Sequence, residues 1–502
     1  RVLNIYEHYP YWHRLFTELK FKVEISPASS KQIAELGNLT IPSQSLCYPA
    51  KLTHGHVVYL ASLGIKNIFL PCIPREGKVF EESVDTYACP VVAGYPEALR
   101  LNVIKQYPGL KIFTPFLNLT KDSTVLKAVL ECFPDIPRHE IKLAIRKARE
   151  TLDEYRNELR KEGEKIFYAA KEKGQTLIVL AGRPYHIDPH INHGIPALID
   201  SMGAAIVTED AICHLAAHKV KLDVINQWAF HSRLYRAAQV VIENPHAELV
   251  QLVSFGCGID TITSEQIKKQ LEKNDRIYTM LKIDEGDTLG AAKIRLKSLL
   301  CAVGNAPEEP EIEEDNEPSL QNFNFMNNNL PFPRTLYVPQ MAPIHFPILT
   351  EALASLGYRV KLLPEVSDKA IELGLKYVNN DACYPAIVVI GQLIESLVSG
   401  KLDSRSTAFL LSQTCGPCRA TNYPALLKWA LDDLGYNNVP IVTLSSSNID
   451  SDALRLKLGL KGLSKLLRAV LYGDLIQKLY FYCKTYEINK GDSDAALKSC
   501  TQ

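Results

Sequence analysis

The sequence predicts an α/β protein with several Rossmann-like domains, mostly parallel sheets and two pseudo-symmetric halves. Two observations predict this class. From residue 176 onward, apolar strand-like runs alternate with helix-like runs, and such alternation favours a parallel sheet covered by helices on both faces. In addition, one order of cysteine motifs occurs in residues 1–303 and again in residues 331–502, which indicates two related halves.

The first part of the chain is predicted to be an α/β domain, residues 1–136, followed by one long helix, residues 137–175. Residues 57–70 have the pattern of a helix end, a Gly turn and a buried strand, and "LKIFTPFLNL" adds another strand. The long helix begins after Pro137 and ends at Gly174. Its apolar residues step by three or four, as on one face of an amphipathic helix: Ile141, Ile145, Ala148, Leu152, Tyr155 and Leu159.

A second α/β domain is predicted over residues 176–303, where "TLIVLAGRPYH", "AAIVTED", "ELVQLVSFGCG" and "RIYTMLKID" are strands separated by helices. Residues 304–330 are rich in Pro, Glu and Asn with little to bury, which is typical of an acidic linker. The α/β pattern then restarts with the strand "RTLYVPQ" and continues as a C-terminal domain, residues 331–502.

The composition limits the classes of partner. Of 502 residues, 46% are apolar, and 56 Lys and Arg balance 56 Asp and Glu. A balanced chain has no net field to attract nucleic acid or an anionic membrane. The sequence contains no apolar run of about 18 residues and no secretory signal at its start. We therefore expect a cytoplasmic protein without a nucleic-acid or membrane partner. Its first residue, Arg rather than Met, fits a piece of a longer polypeptide.

Seven of the twelve cysteines follow a pattern. Without a secretory signal, cysteines are better interpreted as metal-binding, catalytic or buried than as disulfides. Each half has Cys-Tyr-Pro at a helix start, an apolar strand with a cysteine at its end, and a further cysteine leading into a helix. These residues are Cys47, Cys72 and Cys89 in the first half and Cys383, Cys415 and Cys418 in the second. Cys257 is another strand-end cysteine, at a Gly-flanked turn.

Thiols in these positions suit a soft metal site. The carboxyl ends of parallel strands and the amino ends of the following helices face one crevice, and helix amino ends favour the thiolate. Thiolates bind an iron–sulfur cluster or zinc. A zinc site usually has paired short-spaced ligands, and only Cys415 and Cys418 form such a pair. A thioredoxin-type motif would explain that pair but neither Cys383 nor the repeat. Buried cysteines at tight turns remain a further interpretation.

The strand-end loop "GRPYHIDPHINHG", residues 182–194, concentrates polar side chains where ligands bind in such sheets. It is a candidate small-ligand loop, with Arg183, His186, Asn192 and His193 as the candidate residues. Metal binding by its histidines and a purely structural hydrogen-bonded loop are the alternatives.

Several long motifs resemble one known family. "NNDACYPAIVVIGQLIESL", "LLSQTCGPCRATNYPALLKWAL", "PSQSLCYPAKLTHGHVVYL", "AGRPYHIDPHINHGIP" and "FGCGIDTITSEQI" are similar to activase-related proteins of the 2-hydroxyacyl-CoA dehydratase and benzoyl-CoA reductase superfamily. The resemblance covers nearly the whole chain.

The resemblance implies α/β domains that hold 4Fe-4S or larger double-cubane clusters through cysteines, and a partner activator that hydrolyses ATP. In long members the activator is fused upstream. The chain has neither a P-loop nor a sugar-kinase-type phosphate motif, so we expect the ATP site to lie outside it. By carry-over, the candidate metal ligands are Cys47, Cys72, Cys89, Cys383, Cys415 and Cys418. Cys257 is a cofactor-binding candidate that could replace one ligand of the first half. No CoA site maps onto the sequence.

The leading hypothesis is an iron–sulfur protein, active under anaerobic conditions, that accepts low-potential electrons from an ATP-hydrolysing activator and reduces a small substrate. Such a chain would be a reductase or dehydratase-like enzyme component. The alternative is a zinc-stabilised scaffold or an electron relay without a substrate. The expected partners are the activator and a small-molecule substrate, and a homodimer is left open. The sequence identifies neither the catalytic residue, the substrate nor the cluster type.

Overall fold

The computed structural model forms two compact units, residues 1–314 and 315–502. Every paired strand is parallel to its neighbour apart from one isolated antiparallel bridge within the described residues, which confirms the predicted α/β class with parallel sheets. The predicted linker, residues 304–330, lies outside the described residues. The structure describes residues 1, 3–43, 45–254, 256–283, 285–286, 289–303, 334–413, 416–444, 454–456 and 458–501.

The first unit contains all elements up to residue 303. Its helices are α1 (Ile5–Glu18), α2 (Lys31–Gly37), α3 (Tyr48–Ser62), α4 (Pro90–Val103), α5 (Asp122–Cys132), α6 (Arg138–Glu172), α7 (Ile195–Ser201), α8 (Glu209–Ile212), α9 (His231–Glu243), α10 (Gly258–Glu272) and α11 (Gly290–Val303). Its strands are β1 (Asn67–Phe69), β2 (Cys72–Arg75), β3 (Lys111–Phe113), β4 (Phe116–Asn118), β5 (Leu177–Ala181), β6 (Ala205–Thr208), β7 (Ala247–Ser254) and β8 (Thr279–Ile283). Short 3₁₀ helices span Asn38–Thr40, Pro184–Ile187 and Cys213–Leu215.

The main sheet of this unit has the strand order β6-β5-β7-β8. All residues of β5 and β7 are buried, as expected for central strands of a parallel sheet covered on both faces. The two strands pair in parallel up to Ala181 and Gln251. The loops that follow them therefore start from the same edge of the sheet, which brings the loop at Arg183 next to the turn that holds Cys257.

A second layer of the first unit is helical. The long helix predicted from the 3–4 periodicity is α6, and its residues Ile141, Ile145, Ala148 and Leu152 are buried. They pack against α1 and α5 in one hydrophobic core. Helix α1 was not predicted. It contains Pro10 and alternates aromatic with polar side chains, so its helical period is weak in the sequence alone.

The second unit contains one five-stranded parallel sheet with the order β10-β9-β11-β12-β13. Its strands are β9 (Thr335–Val338), β10 (Val360–Leu362), β11 (Thr407–Ser412), β12 (Ile441–Leu444) and β13 (Leu454–Arg455). Its helices are α12 (His345–Ala354), α13 (Asp368–Tyr377), α14 (Tyr384–Val398), α15 (Tyr423–Asp433), α16 (Leu460–Tyr486) and α17 (Asp492–Thr501), with a 3₁₀ helix at Arg419–Asn422.

Cys72 differs from its predicted place at the end of a strand. The first strand, β1, ends at Phe69, and Cys72 is the first residue of a separate strand, β2. Pro71 stands between them and has no N–H to donate to a strand ladder. The N–H of Cys72 resumes pairing by donating to the carbonyl of Pro115 at 3.0 Å.

No helix in the described part of the chain combines the length and the apolar composition needed to cross a membrane.

Candidate functional site

Each Cys-Tyr-Pro motif belongs to a pair of packed helices, α2 with α3 in the first unit and α13 with α14 in the second. The first helix of each pair begins after a capping serine. Ser30 Oγ accepts a hydrogen bond from the N–H of Ile33 at 3.3 Å, and Ser367 Oγ accepts one from the N–H of Ala370 at 3.0 Å. The second helix of each pair has 15 residues and begins directly after the cysteine of the motif.

A glycine in the second helix of each pair lets the two backbones approach closely. A Cβ atom on Gly55 would overlap the carbonyl oxygen of Ile33, and one on Gly391 would overlap the carbonyl oxygen of Ala370. Each glycine follows its Cys-Tyr-Pro cysteine by eight residues. Because the same contact recurs at the same spacing, both pairs hold their cysteine at an equivalent point of the motif.

The upstream half of this repeat was not predicted, although the sequence contains a recognisable pattern for it. Residues 30–37, "SKQIAELG", and residues 367–374, "SDKAIELG", share the capping serine and a Glu-Leu-Gly end. The repeat is therefore longer than the cysteine motif from which it was first recognised.

Three cysteines of the first unit occupy the N-cap positions of three helices. Cys47 precedes α3, Cys89 precedes α4 and Cys257 precedes α10. Burial, and then the Cys89 thiol, raises the pKa of Cys47 to about 11. Burial is also the main reason that the pKa of Cys257 rises to about 12, with Asp260 and Cys89 contributing. The structure thus brings these three thiols close enough to interact electrostatically.

Arg183 faces this group of thiols. Its guanidinium is buried, and Nη2 lies 3.2 Å from Cys257 Sγ. Nε donates to Asp260 Oδ1 at 2.7 Å, and the second carboxylate oxygen of Asp260 accepts from the N–H of Ser254. Burial and Arg183 have opposite effects on these thiols, because the positive charge of Arg183 lowers the pKa of Cys47 and of Cys257. A cation held by a buried carboxylate therefore favours negative charge on the sulfur atoms.

The candidate small-ligand loop is held by its own hydrogen bonds. His186 Nδ1 accepts from the N–H of Arg183 at 2.9 Å, and Nε2 lies 3.2 Å from Ser254 Oγ. Burial lowers the pKa of His186 to about 4, so the ring is neutral and its proton is on Nε2. His186 therefore donates to Ser254 and does not act as its base. Asn192 Nδ2 donates to the carbonyl of His186 at 3.0 Å, and His193 has a left-handed backbone with φ of 53°.

Cys72, also predicted as a ligand, has a different environment. Cys72 is fully buried. Burial raises the pKa of its thiol, and the other group that affects this pKa is Glu97 of α4. Cys257, rather than Cys72, accompanies Cys47 and Cys89 in the described structure.

The second unit brings two of its predicted cysteines to one tyrosine. Cys383 caps α14, and its sulfur lies 3.1 Å from Tyr423 Oη. Cys418 caps the 3₁₀ helix that precedes α15, and its sulfur accepts from the N–H of Ala420 at 3.5 Å. Burial, then Cys383, raises the pKa of Tyr423, and Cys418 acts in the same direction. Cys415 lies outside the described residues.

Cys47, Cys89 and Cys257 are the possible metal-binding thiols that the first unit brings together. In the described residues, no group of three or more His, Cys, Asp or Glu side chains is arranged to hold one metal ion. In a cluster each thiolate binds a different iron, so the ligands need not converge on one point. The three thiols of the first unit lie at helix amino ends, and the buried Arg183 lies beside one of them.

A comparison with protein families supports a relation to one of them. A family model described as "CoA enzyme activase uncharacterised domain" matches residues 1–212. The match covers less than half of the 502 residues, and it shows that this part of the chain is similar to that domain. The activase-related region therefore includes α2, α3 and α4 with Cys47, Cys72 and Cys89, and also Arg183.

The other comparisons add no argument about function. No curated protein matches the chain. Among solved structures, the C-terminus of E. coli RcsC, which contains a linker region and a phosphoreceiver domain, matches at 13% identity over 61% of this chain and 94% of that chain. Its TM-score of 0.15 is too low to carry a conclusion.

Proposed function

We propose that this chain is an iron–sulfur component of a CoA enzyme activase system. In this proposal it accepts low-potential electrons from an ATP-hydrolysing activator and passes them to a small substrate. The observation that supports it is the group of three N-capping cysteines around Arg183, two of which lie in the region related to CoA enzyme activases.

The thiols would lose their protons when they bind a metal. Buried thiols with pKa values of about 11 and 12 stay protonated at neutral pH, and a bound metal replaces those protons. A cluster held by thiolates supplies one-electron redox chemistry at low potential. Cys47, Cys89 and Cys257 would bind it, and Arg183 would donate to a ligand sulfur. Asp260 would keep Arg183 in position, and burial would exclude water.

The second unit would contribute a further set of ligands. Cys383 and Cys418 occupy helix starts that match those of the first unit, and Tyr423 lies against one of their sulfur atoms. With Cys415 they give three thiols. Each set of three would suit one cubane, and Cys72 is the replacement ligand in the first unit if Cys257 does not bind.

The family description favours a second candidate, in which the chain takes part in the activator itself. A CoA enzyme activase is named for activating its partner enzyme, and in such a system the activator is the component that hydrolyses ATP. The two candidates differ in one measurable property, because an electron acceptor would be reduced by the activator and need not turn over ATP.

Metal and sulfide analysis of anaerobically purified protein tests the main proposal. We expect iron with equal acid-labile sulfide, about four or about eight per chain, and absorption near roughly 400 nm that dithionite bleaches. Cys47→Ala, Cys89→Ala and Cys257→Ala should each lower the iron content, whereas the exposed Cys301→Ala should not. Zinc without sulfide would contradict the redox proposal and favour the zinc-stabilised scaffold.

A second measurement separates an enzyme from an electron relay. Protein reduced by an activator and ATP would be reoxidised by its substrate if it is the reducing enzyme. A relay would be reoxidised only by a further protein.

A further inference from the structure

Arg183 also lines a small polar cavity in the first unit. Its volume is about 110 Å³, and α1, α6, α8, α9 and the loop after β5 surround it. This space corresponds to roughly three or four water molecules. A CoA thioester is far too large for it, whereas an ion of four or five non-hydrogen atoms would fit.

The lining of the cavity is mainly basic. Five basic side chains face three acidic ones. Four of the five are arginines, namely Arg156, Arg160, Arg183 and Arg233. Buried or half-buried guanidinium groups bind carboxylates and phosphates through paired N–H donors.

The ion pairs within the protein do not occupy all the N–H donors of these arginines. Glu7 accepts from Arg156 and from Arg233, each at 2.8 Å, and Arg183 is held by Asp260 outside the cavity lining. Arg233 Nε is buried without a hydrogen-bond partner. Arg160 has no ion pair within 4.0 Å among the described residues.

The lining carries less negative charge than its number of acidic residues indicates. Glu209 is buried, and its Oε1 atom lies 3.5 Å from Nη2 of Arg233. Burial raises the pKa of Glu209 to about 8. At neutral pH this side chain is mostly uncharged and can donate a hydrogen bond. Arg183 and Arg233 are buried while other lining residues are partly exposed, and positive charge that is partly removed from water is unfavourable unless an anion compensates it.

We propose that this cavity binds a small oxyanion, either a short carboxylate or an inorganic oxyanion such as phosphate. The anion would lie between Arg160 and Arg233, next to Arg183. This assignment depends on the lining of the cavity and not on the presence of a cluster, so it holds or fails independently of the proposed function.

Binding is tested by calorimetric titration of the full chain with sodium acetate and with sodium phosphate, using sodium chloride at equal ionic strength as reference. We expect saturable binding of at least one oxyanion and none of chloride. Stronger binding of acetate would identify a carboxylate site, and stronger binding of phosphate an inorganic oxyanion site. If both oxyanions behave like chloride, the proposal is wrong.

Variants locate the site. Arg160→Gln should weaken the binding at least tenfold, and Arg160→Lys, which keeps the charge, should weaken it less. Lys161→Gln removes a charge from the next, exposed position of α6 and should leave the affinity unchanged.

Ile187→Asp provides a second test that does not alter an arginine. Ile187 lines the cavity and is 48% exposed, so the change should preserve folding while it places a carboxylate at the site. We expect oxyanion binding to be lost. Unchanged affinity in both Arg160→Gln and Ile187→Asp would show that the anion binds elsewhere and would overturn the assignment.

Discussion

At the scale of single residues, Arg183 connects the features of the first unit. Its side chain is 4% exposed and that of its partner Asp260 is 3% exposed. The pair is surrounded by Cys257, the loop that holds His186, and the oxyanion cavity. A buried ion pair is weak support for stability, but removing one partner leaves an uncompensated charge inside the protein.

Asp260→Asn should therefore be strongly destabilising. Arg183 would remain buried without its carboxylate, and we expect the free energy of unfolding to fall by about 3–5 kcal/mol. Urea denaturation measures the change. Asp122→Asn is the matched control, because its ion pair with Arg149 is at the surface and should contribute less than about 1 kcal/mol. Equal losses in the two variants would contradict the structural role of the buried pair.

Glu209 should make the stability of the folded protein decrease at alkaline pH. Its pKa is about 8 in the folded protein, compared with an ordinary value of 4.5, so the folded state holds the proton more tightly. The resulting stability is complete below pH 4.5 and is lost as the pH rises through 8, at about 1.4 kcal/mol per pH unit between these values.

Glu209→Gln should remove this dependence, because glutamine stays neutral at every pH. We expect the melting temperature of the wild-type protein to fall more between pH 5 and pH 9 than that of the variant. Glu172→Gln, at an exposed position of α6, should follow the wild type. Parallel curves for wild type and Glu209→Gln would show that this carboxyl is not buried.

At the scale of elements, the features that could be predicted from the sequence are those that a short stretch of residues determines. The strands β5 to β8 and the long helix α6 follow from apolar runs and a 3–4 periodicity, and Cys47 and Cys383 were recognised from Cys-Tyr-Pro. The grouping of Cys89 with Cys257 was not predictable. These residues are far apart in the chain, and only the parallel pairing of β5 with β7 brings the loop of Arg183 to Cys257.

Gly391→Ala tests the repeated helix pair. The added methyl group would overlap the carbonyl oxygen of Ala370, so α13 and α14 must separate. Overpacking of this kind typically costs about 1–3 kcal/mol, which thermal or urea unfolding can measure.

Gly94→Ala is the control for this change. Gly94 lies inside α4 with nothing within 4 Å of an added Cβ, so alanine should be neutral or stabilise the helix by up to about 1 kcal/mol. Equal stability of the two variants would mean that the close contact between α13 and α14 is absent.

At the scale of the whole molecule, the chain combines zero net charge, two compact units and, over residues 1–212, similarity to a domain of CoA enzyme activases. Strand–helix alternation predicted the α/β class, and the order of the cysteine motifs predicted two related halves. They could not assign a substrate, because the side chains that would recognise one come from distant segments.

The protein alone should not hydrolyse ATP, since the sequence contains neither a P-loop nor a sugar-kinase-type phosphate motif. Phosphate release measured with the purified chain and Mg²⁺-ATP checks this. Turnover that co-purifies with the chain would support the candidate in which the chain belongs to the activator. Arg160→Gln serves as a comparison in this assay, because it should weaken oxyanion binding and leave the rate of ATP hydrolysis unchanged.

The glycine contacts of the helix pairs also bear on the order of assembly. Gly37 and Gly55, and likewise Gly374 and Gly391, are 17 or 18 positions apart, and contacts this local tend to form early in folding. Cys257 follows Cys47 by 210 positions and arrives only when β7 joins the sheet. A cofactor that requires both thiols could therefore bind only after β7 has joined the sheet.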